Sequence, residues 1–76
     1  MNFTDYAATE GCQLLRDDIN FVRQRLNYVP KTQRRAFMLR YVALWLQAMD
    51  EEPIQHKKQN RGRYAANSWL VANTCM

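Results

Sequence analysis

At 76 residues the chain is one domain, too short for a second core and of a size that buries only about 60% of its unfolded surface. A composition 47% hydrophobic and 12% aromatic, with two Gly and two Pro, favours a compact helical fold over disorder or a turn-rich β structure. Eleven Lys and Arg against seven Asp and Glu leave a net charge of +4, which favours acidic partners and excludes a histone-like excess.

The opening MNFTDYAATEG has neither a basic n-region nor an apolar h-region, so no secretory signal is expected and the chain is assigned to the cytoplasm. Thr4 is the expected N-cap of a first helix, with Asp5 placed to suit the positive end of its dipole. Gly11 would cost about 1 kcal/mol inside that helix, so its first turns are weak and a start near Thr9 is the alternative. Beyond it, Cys12, Leu15, Ile19, Val22 and Leu26 recur at spacings of three and four, with Leu14, Phe21 and Tyr28 on a flank. The pattern predicts one amphipathic helix over residues 5–28. Pro30 ends it, because it disfavours helical geometry at Val29 and cannot continue the hydrogen-bond ladder.

Thr32 is the expected cap of a second helix, over residues 32–51. Wound at helical pitch, TQRRAFMLRYVALWLQAMDEE places Phe37, Tyr41 and Leu44 on one stripe, Met38, Val42, Trp45 and Met49 on another, and Leu39, Ala43 and Leu46 on a third. Only a strip through Gln33, Arg40, Gln47 and Glu51 stays polar. The apolar run falls short of the roughly 18 residues a membrane span needs, so protein is expected to cover this helix on several sides. The short link makes the first two helices antiparallel neighbours. Asp50, Glu51 and Glu52 oppose the dipole at its end and predict fraying there, before Pro53.

A third pattern runs over residues 57–73. Ala65, Ala66, Trp69, Leu70 and Ala72 share its inner face, and Gly62 there allows close approach to a neighbour. Lys57, Arg61, Tyr64 and Ser68 fall outside, with Arg63 and Asn67 at the flank. The tail beyond Asn73 is expected to be loose. The expected fold is therefore all-α, a small three-helix bundle with a central, largely apolar second helix. Leu15, Ile19, Val22 and Leu26, then Phe37, Tyr41, Leu44 and Trp45, then Trp69 and Leu70 form the expected core.

Nothing in the chain frames a catalytic centre. His56 is the one histidine and begins a basic run in a turn; Asp17 with Asp18, and Asp50 with Glu51 and Glu52, are adjacent carboxylates that diverge on a helix and read as solvated surface. Cys12 and Cys75 lack metal-ligand spacing and read as free thiols. No enzyme activity, metal or cofactor is expected. The stronger signal is basic: Lys31, Arg34 and Arg35, with Arg40 further on, at the start of the second helix, and Lys57, Lys58, Arg61 and Arg63 at the start of the third. Up-and-down helices would put these clusters at opposite ends. Trp45 and Trp69 read as core anchors, whereas Tyr64 stands exposed among Arg, Asn and Ser, the make-up of a binding hot spot.

The stretch VRQRLNYVPKTQRRAFMLRYVALW, a helix, a turn through Pro30 and an "R-x-x-F-x-x-R-Y" helix, resembles two families. It is similar to the first helix pair of region four of bacterial sigma factors, although no helix-turn-helix with a short Gly turn follows, so a recognition helix is not implied. It also resembles the N-terminal segment of replication-initiation endonucleases from temperate tailed phages, whose "R-x-x-A-N-x-W-L" ending corresponds to Arg63, Ala66, Asn67, Trp69 and Leu70. The tyrosine-and-histidine nuclease domain of that family has no counterpart in this chain. The resemblance implies a phage or prophage origin, a connection with DNA metabolism without nuclease activity, and action in a bacterial host cell by docking onto a host enzyme. The expected function is that of a non-enzymatic accessory protein that binds and modulates or inhibits a host protein of DNA replication, repair or defence. The expected docking surface is Lys57, Lys58, Arg61, Arg63, Tyr64 and Asn67. Direct nucleic-acid binding through the basic helix starts is one alternative, and a structural subunit or homodimer is the other.

Overall fold

The computed structural model describes residues 2–74, which form α1 (Phe3–Thr9), α2 (Arg16–Leu26), α3 (Lys31–Glu51) and α4 (Lys58–Asn73), with a 3-10 turn over Gln55–Lys57 before α4. The fold is all-α, with no strand among the described residues. Cys75 and Met76 lie outside the described residues, and with them the reading of Cys75 as a thiol.

The helix expected over 5–28 is two helices, and Gly11 is the reason. Its φ of +99° is left-handed geometry that only glycine adopts without penalty. The Cys12 amide donates to Ala7 O at 2.9 Å and the Gly11 amide to Ala8 O at 3.1 Å, the two bonds of a Schellman C-cap. Ala7 and Cys12, both buried, supply the apolar contact that accompanies this motif. At the other end Asn2, not Thr4, is the N-cap: its Oδ1 accepts from the Asp5 amide at 2.8 Å. Residues 12–15 then run without helical pairing to Leu15, the N-cap of α2. Leucine has no side-chain acceptor, so the junction rests on Asp18, whose Oδ2 accepts from the Leu15 amide at 3.0 Å. Leu15 is consequently 58% exposed and is no part of the core.

Pro30, not Thr32, precedes the first residue of α3, and Gln33 N donates to Pro30 O at 2.8 Å. The link is fastened from the next turn, where Arg34 Nε donates to Val29 O at 3.0 Å. The three acids at the end of α3 do not fray it, because Lys58 reaches back and its Nζ donates to Met49 O at 2.9 Å and Glu52 O at 2.6 Å. A cation at the negative end of the dipole offsets the acids there.

α3 and α4 form an antiparallel pair with a regular register. The Phe37 and Trp69 rings lie 5.3 Å apart at one end, Tyr41 Oη donates to Asn67 Oδ1 in the middle, and Trp45 covers Gly62 towards the other. α2 lies along α4 and runs in the same direction, with Asp18 beside Arg63 and Arg25 beside Val71 and Thr74. Val22, Tyr41, Val42, Trp45, Ala66 and Leu70 form the centre of the core, and Ala7 and Cys12 are carried into it from the α1 side. α3 is not covered all round: Tyr41, Val42 and Trp45 are buried, whereas Ala43 is exposed and Leu39 is 42% exposed. A bundle of this size has too few elements to enclose a helix. Ala72 is likewise exposed.

The chain beyond Asn73 is not loose at Thr74, which is buried. Arg25 Nε donates to Thr74 Oγ1 at 2.8 Å and its Nη2 to Thr74 O at 2.7 Å, so the guanidinium of α2 caps the C-terminus of α4.

Candidate functional site

The first half of α4 carries two kinds of polar residue, and position on the helix separates them. Gln59, Arg63 and Asn67 recur every four residues and therefore share one flank, which faces α2 and the 11–15 connection. Arg63 Nε donates to Asp18 Oδ2 at 2.7 Å, Nη2 to Gln13 O at 3.0 Å and Nη1 to Asn60 Oδ1 at 2.6 Å, while its guanidinium lies 5.2 Å from the Trp45 ring centre. Asn67 bridges Tyr41 Oη and Asp18 Oδ1. Gln59 accepts from Trp45 Nε1 at 2.9 Å and from the Gln13 amide at 3.0 Å, and donates to Gly11 O at 3.0 Å.

Every polar atom of this flank that is sealed from water has a partner, so the network is structural. Burial, together with the negative charge of Asp18, pushes the Tyr41 hydroxyl far above its ordinary range and keeps it a donor. Asp18 is thus buried and paired, which corrects its reading as solvated surface.

Of the six residues expected on the α4 docking surface, three therefore face the fold. Arg63 and Asn67 belong to the network, and Lys58 caps α3. Lys57, Arg61 and Tyr64 remain outside, and Tyr64 is 72% exposed. Next to Tyr64 the end of α3 and the first turns of α4 diverge into an open cleft of about 480 Å³. Ala48, Pro53 and Ala65 line it together with Glu51, Glu52, Arg61 and Tyr64. Arg61 Nε donates to Glu52 Oε2 at 2.9 Å and the Ile54 amide to Glu52 Oε1 at 3.2 Å. These two bonds hold the Glu52 carboxyl below its usual range. Glu52 is buried, which corrects its reading as solvated surface, and Arg61 is fixed over the cleft while its side chain stays 65% exposed. The cleft had no signal in the sequence, because its lining comes from two helices and the turn that joins them.

The second basic cluster lies at the far end. Lys31, Arg35 and Arg40 are exposed, while Arg34 is bound to the Val29 carbonyl. In the antiparallel register about 15 residues of α3, roughly 20 Å at ~1.5 Å per residue, separate Arg34 from the start of α4. That exceeds twice the ~8 Å Debye length of physiological salt, so the clusters do not act as one field. Arg25, Arg34, Lys58, Arg61 and Arg63, five of the eleven cations, are engaged with oxygen atoms of the fold itself.

Among the described residues no group of three His, Cys, Asp or Glu is placed to hold a metal ion. His56 lies exposed in the 3-10 turn. Burial, and secondarily Glu10, pushes the Cys12 thiol up to about 11, which leaves it protonated and unreactive near neutral pH. No described helix is long and apolar enough to cross a membrane. Compared with known proteins, the chain matches no family model, no curated protein and no solved structure.

Proposed function

We propose that this chain is a non-enzymatic accessory protein that acts by docking onto another protein through the outer face of α4. The observation that carries this reading is Tyr64. A tyrosine 72% exposed beside a cleft of small residues and a fixed arginine is an anchor waiting for a counterpart, since Tyr and Arg dominate binding energy at interfaces. Arg61 adds preorganisation: its tie to Glu52 holds the guanidinium in place, so less side-chain entropy is lost when a partner arrives. The docking surface we propose is Lys57, Arg61 and Tyr64.

The partner class, a host protein of DNA replication, repair or defence, and the phage or prophage setting rest on the resemblance of the Val22–Trp45 stretch and the RYAANSWL ending to phage initiation endonucleases. The corresponding residues Arg63, Ala66, Asn67, Trp69 and Leu70 are buried or half-buried. The likeness therefore concerns how the helices pack. Direct nucleic-acid binding is the weaker reading, because almost half of the cations are engaged within the fold and the exposed ones are spread over α2, α3 and the start of α4.

The test is capture from host lysate on immobilised wild-type chain, Tyr64→Ala and Lys57→Glu, each with and without nuclease. The proposal expects a protein that survives nuclease and is lost with Tyr64→Ala while the melting curve stays in place. Retention of that protein by both variants, or its disappearance on nuclease treatment, refutes the reading.

A further inference from the structure

A second concavity lies on the opposite half of the molecule, where α1 stands beside the first turns of α3. Its volume is about 210 Å³, and Phe3, Tyr6, Met38 and Leu39 line it, with Arg35 and Asn2 at the rim. The sequence pattern conceals it, because the apolar spacing merges α1 and α2 into one longer helix. Only the left-handed turn at Gly11 lets α1 fold back so that the Phe3 ring meets the Tyr41 ring edge-on at 5.6 Å. Phe3, Tyr6 and Met38 are half-buried, and Leu39 is 42% exposed.

Three properties of this groove identify its occupant. Its size falls below the range of about 300–1,000 Å³ typical of small-molecule sites and suits one or two inserted side chains. It is concave, whereas a lipid surface is entered by protruding apolar side chains lying in the interface. Its charge is one-sided: Lys31, Arg35 and Leu39 succeed one another at every fourth residue, so an exposed cationic stripe leads straight into the apolar groove. The only acid on α1 is Asp5.

We infer that the α1–α3 groove is a second docking site, which takes the apolar face of a partner's amphipathic helix carrying acidic residues at the edge that meets Lys31 and Arg35. Aromatic, Met and Arg side chains are the residue types enriched at the centre of protein interfaces. A helix laid in such a groove anchors through apolar residues at spacings of three and four. The site is separate from the Tyr64 surface, since the two share no lining residue and lie towards opposite ends of α3.

The experiment is a titration of the isotopically labelled whole chain, followed by amide chemical shifts, with three synthetic helical peptides of about 16 residues. One carries Leu at helical spacing flanked by Glu, the second replaces Glu by Lys, and the third replaces Leu by Ser. Vesicles of mixed phosphatidylserine and phosphatidylcholine form a fourth arm. The acidic Leu peptide is expected to shift the amides of Phe3, Tyr6, Met38 and Leu39 together. Leu39→Glu and Arg35→Glu, both at exposed positions, are each expected to weaken it at least about tenfold with an unchanged melting curve. The inference is overturned by any of four results: no shifts up to about 1 mM peptide, equal binding of the Lys or Ser peptide, full affinity in both variants, or vesicles reproducing the same shifts. Shifts confined to the Tyr64 face would overturn it while leaving the first surface standing.

Discussion

Gly62→Ala is the substitution for which local propensity and packing disagree most sharply. Inside a helix, Ala is favoured over Gly by about 1 kcal/mol, so propensity alone predicts a stabilised protein. A Cβ built at Gly62, however, would stand 2.6 Å from Trp45 Nε1 and 2.7 Å from Trp45 Cγ, with Cδ1 nearer still. Carbon atoms in contact sit at about 3.5–4.0 Å, so the indole and the backbone of α4 would have to separate by roughly 1 Å. The indole has no room to retreat: Trp45 is 0% exposed, Gln59 holds its Nε1 at 2.9 Å, and the Arg63 guanidinium stands over its ring. Overpacking costs about 1–3 kcal/mol and a strained Trp45–Gln59 bond up to about 1 more, which outweighs the propensity gain. Three contacts this short belong to the upper half of the overpacking range, so the expected net loss is about 1–3 kcal/mol, or a fall in Tm of roughly 5–20 °C for a domain of this size. Thermal unfolding followed by far-UV circular dichroism measures it. A Tm equal to or above wild type would refute the close packing of α3 on α4 at this point. In the double variant with Trp45→Leu, the penalty of Gly62→Ala should shrink by at least about 1 kcal/mol, because the clashing atoms are gone.

Gly11→Ala meets no atom within 4 Å, so its cost is conformational alone, about 1 kcal/mol for a left-handed alanine, read as a fall in the urea midpoint at constant m. Asp18→Ala leaves Arg63 without its carboxylate and the Leu15 amide without its acceptor, and should cost about 3 kcal/mol in denaturant unfolding, with Asp18→Asn milder. Glu52 titrates below its ordinary value in the folded state, so its contribution is present above the unfolded pKa near 4.5 and is lost as pH falls through the folded one. The Tm difference between wild type and Glu52→Gln should therefore be positive near neutral pH and close on acidification below about pH 4.5, as melting curves across that range will show.

α3 and α4 were legible because each is long enough for a 3.6-residue period to stand out, and Pro30 and Pro53 mark their borders. Tyr64 could be assigned to the outside for the same reason. The split of the first helix was not legible from period, because the apolar spacing from Cys12 to Leu26 fits one continuous helix. The local signal was Gly11 itself, whose better use is as a C-cap than as a weak point inside a helix. The start of α2 was hidden because its cap is a leucine and the acceptor for the Leu15 amide is the Asp18 carboxylate. In the sequence Arg63, Asn67 and Lys58 read as surface, because charged and amide groups usually lie there. Their burial follows from distant partners, Asp18, Tyr41 and the Met49 carbonyl, which no local pattern brings together. The two concavities escaped for the same reason, since each is formed between elements.

α4 divides into a structural polar flank at Arg63 and Asn67 and an outward surface at Tyr64 that continues to Lys57 in the preceding 3-10 turn. Side-by-side melting of Arg63→Ala, Asn67→Ala, Lys57→Ala and Tyr64→Ala tests it most directly. Loss of the buried pair should lower Tm by about 10 °C or more in Arg63→Ala, and Asn67→Ala should fall by several degrees, while exposed changes of under about 0.5 kcal/mol leave Lys57→Ala and Tyr64→Ala within a few degrees of wild type. Four equal melting curves, or a larger loss for Tyr64→Ala than for Arg63→Ala, would contradict the division of α4.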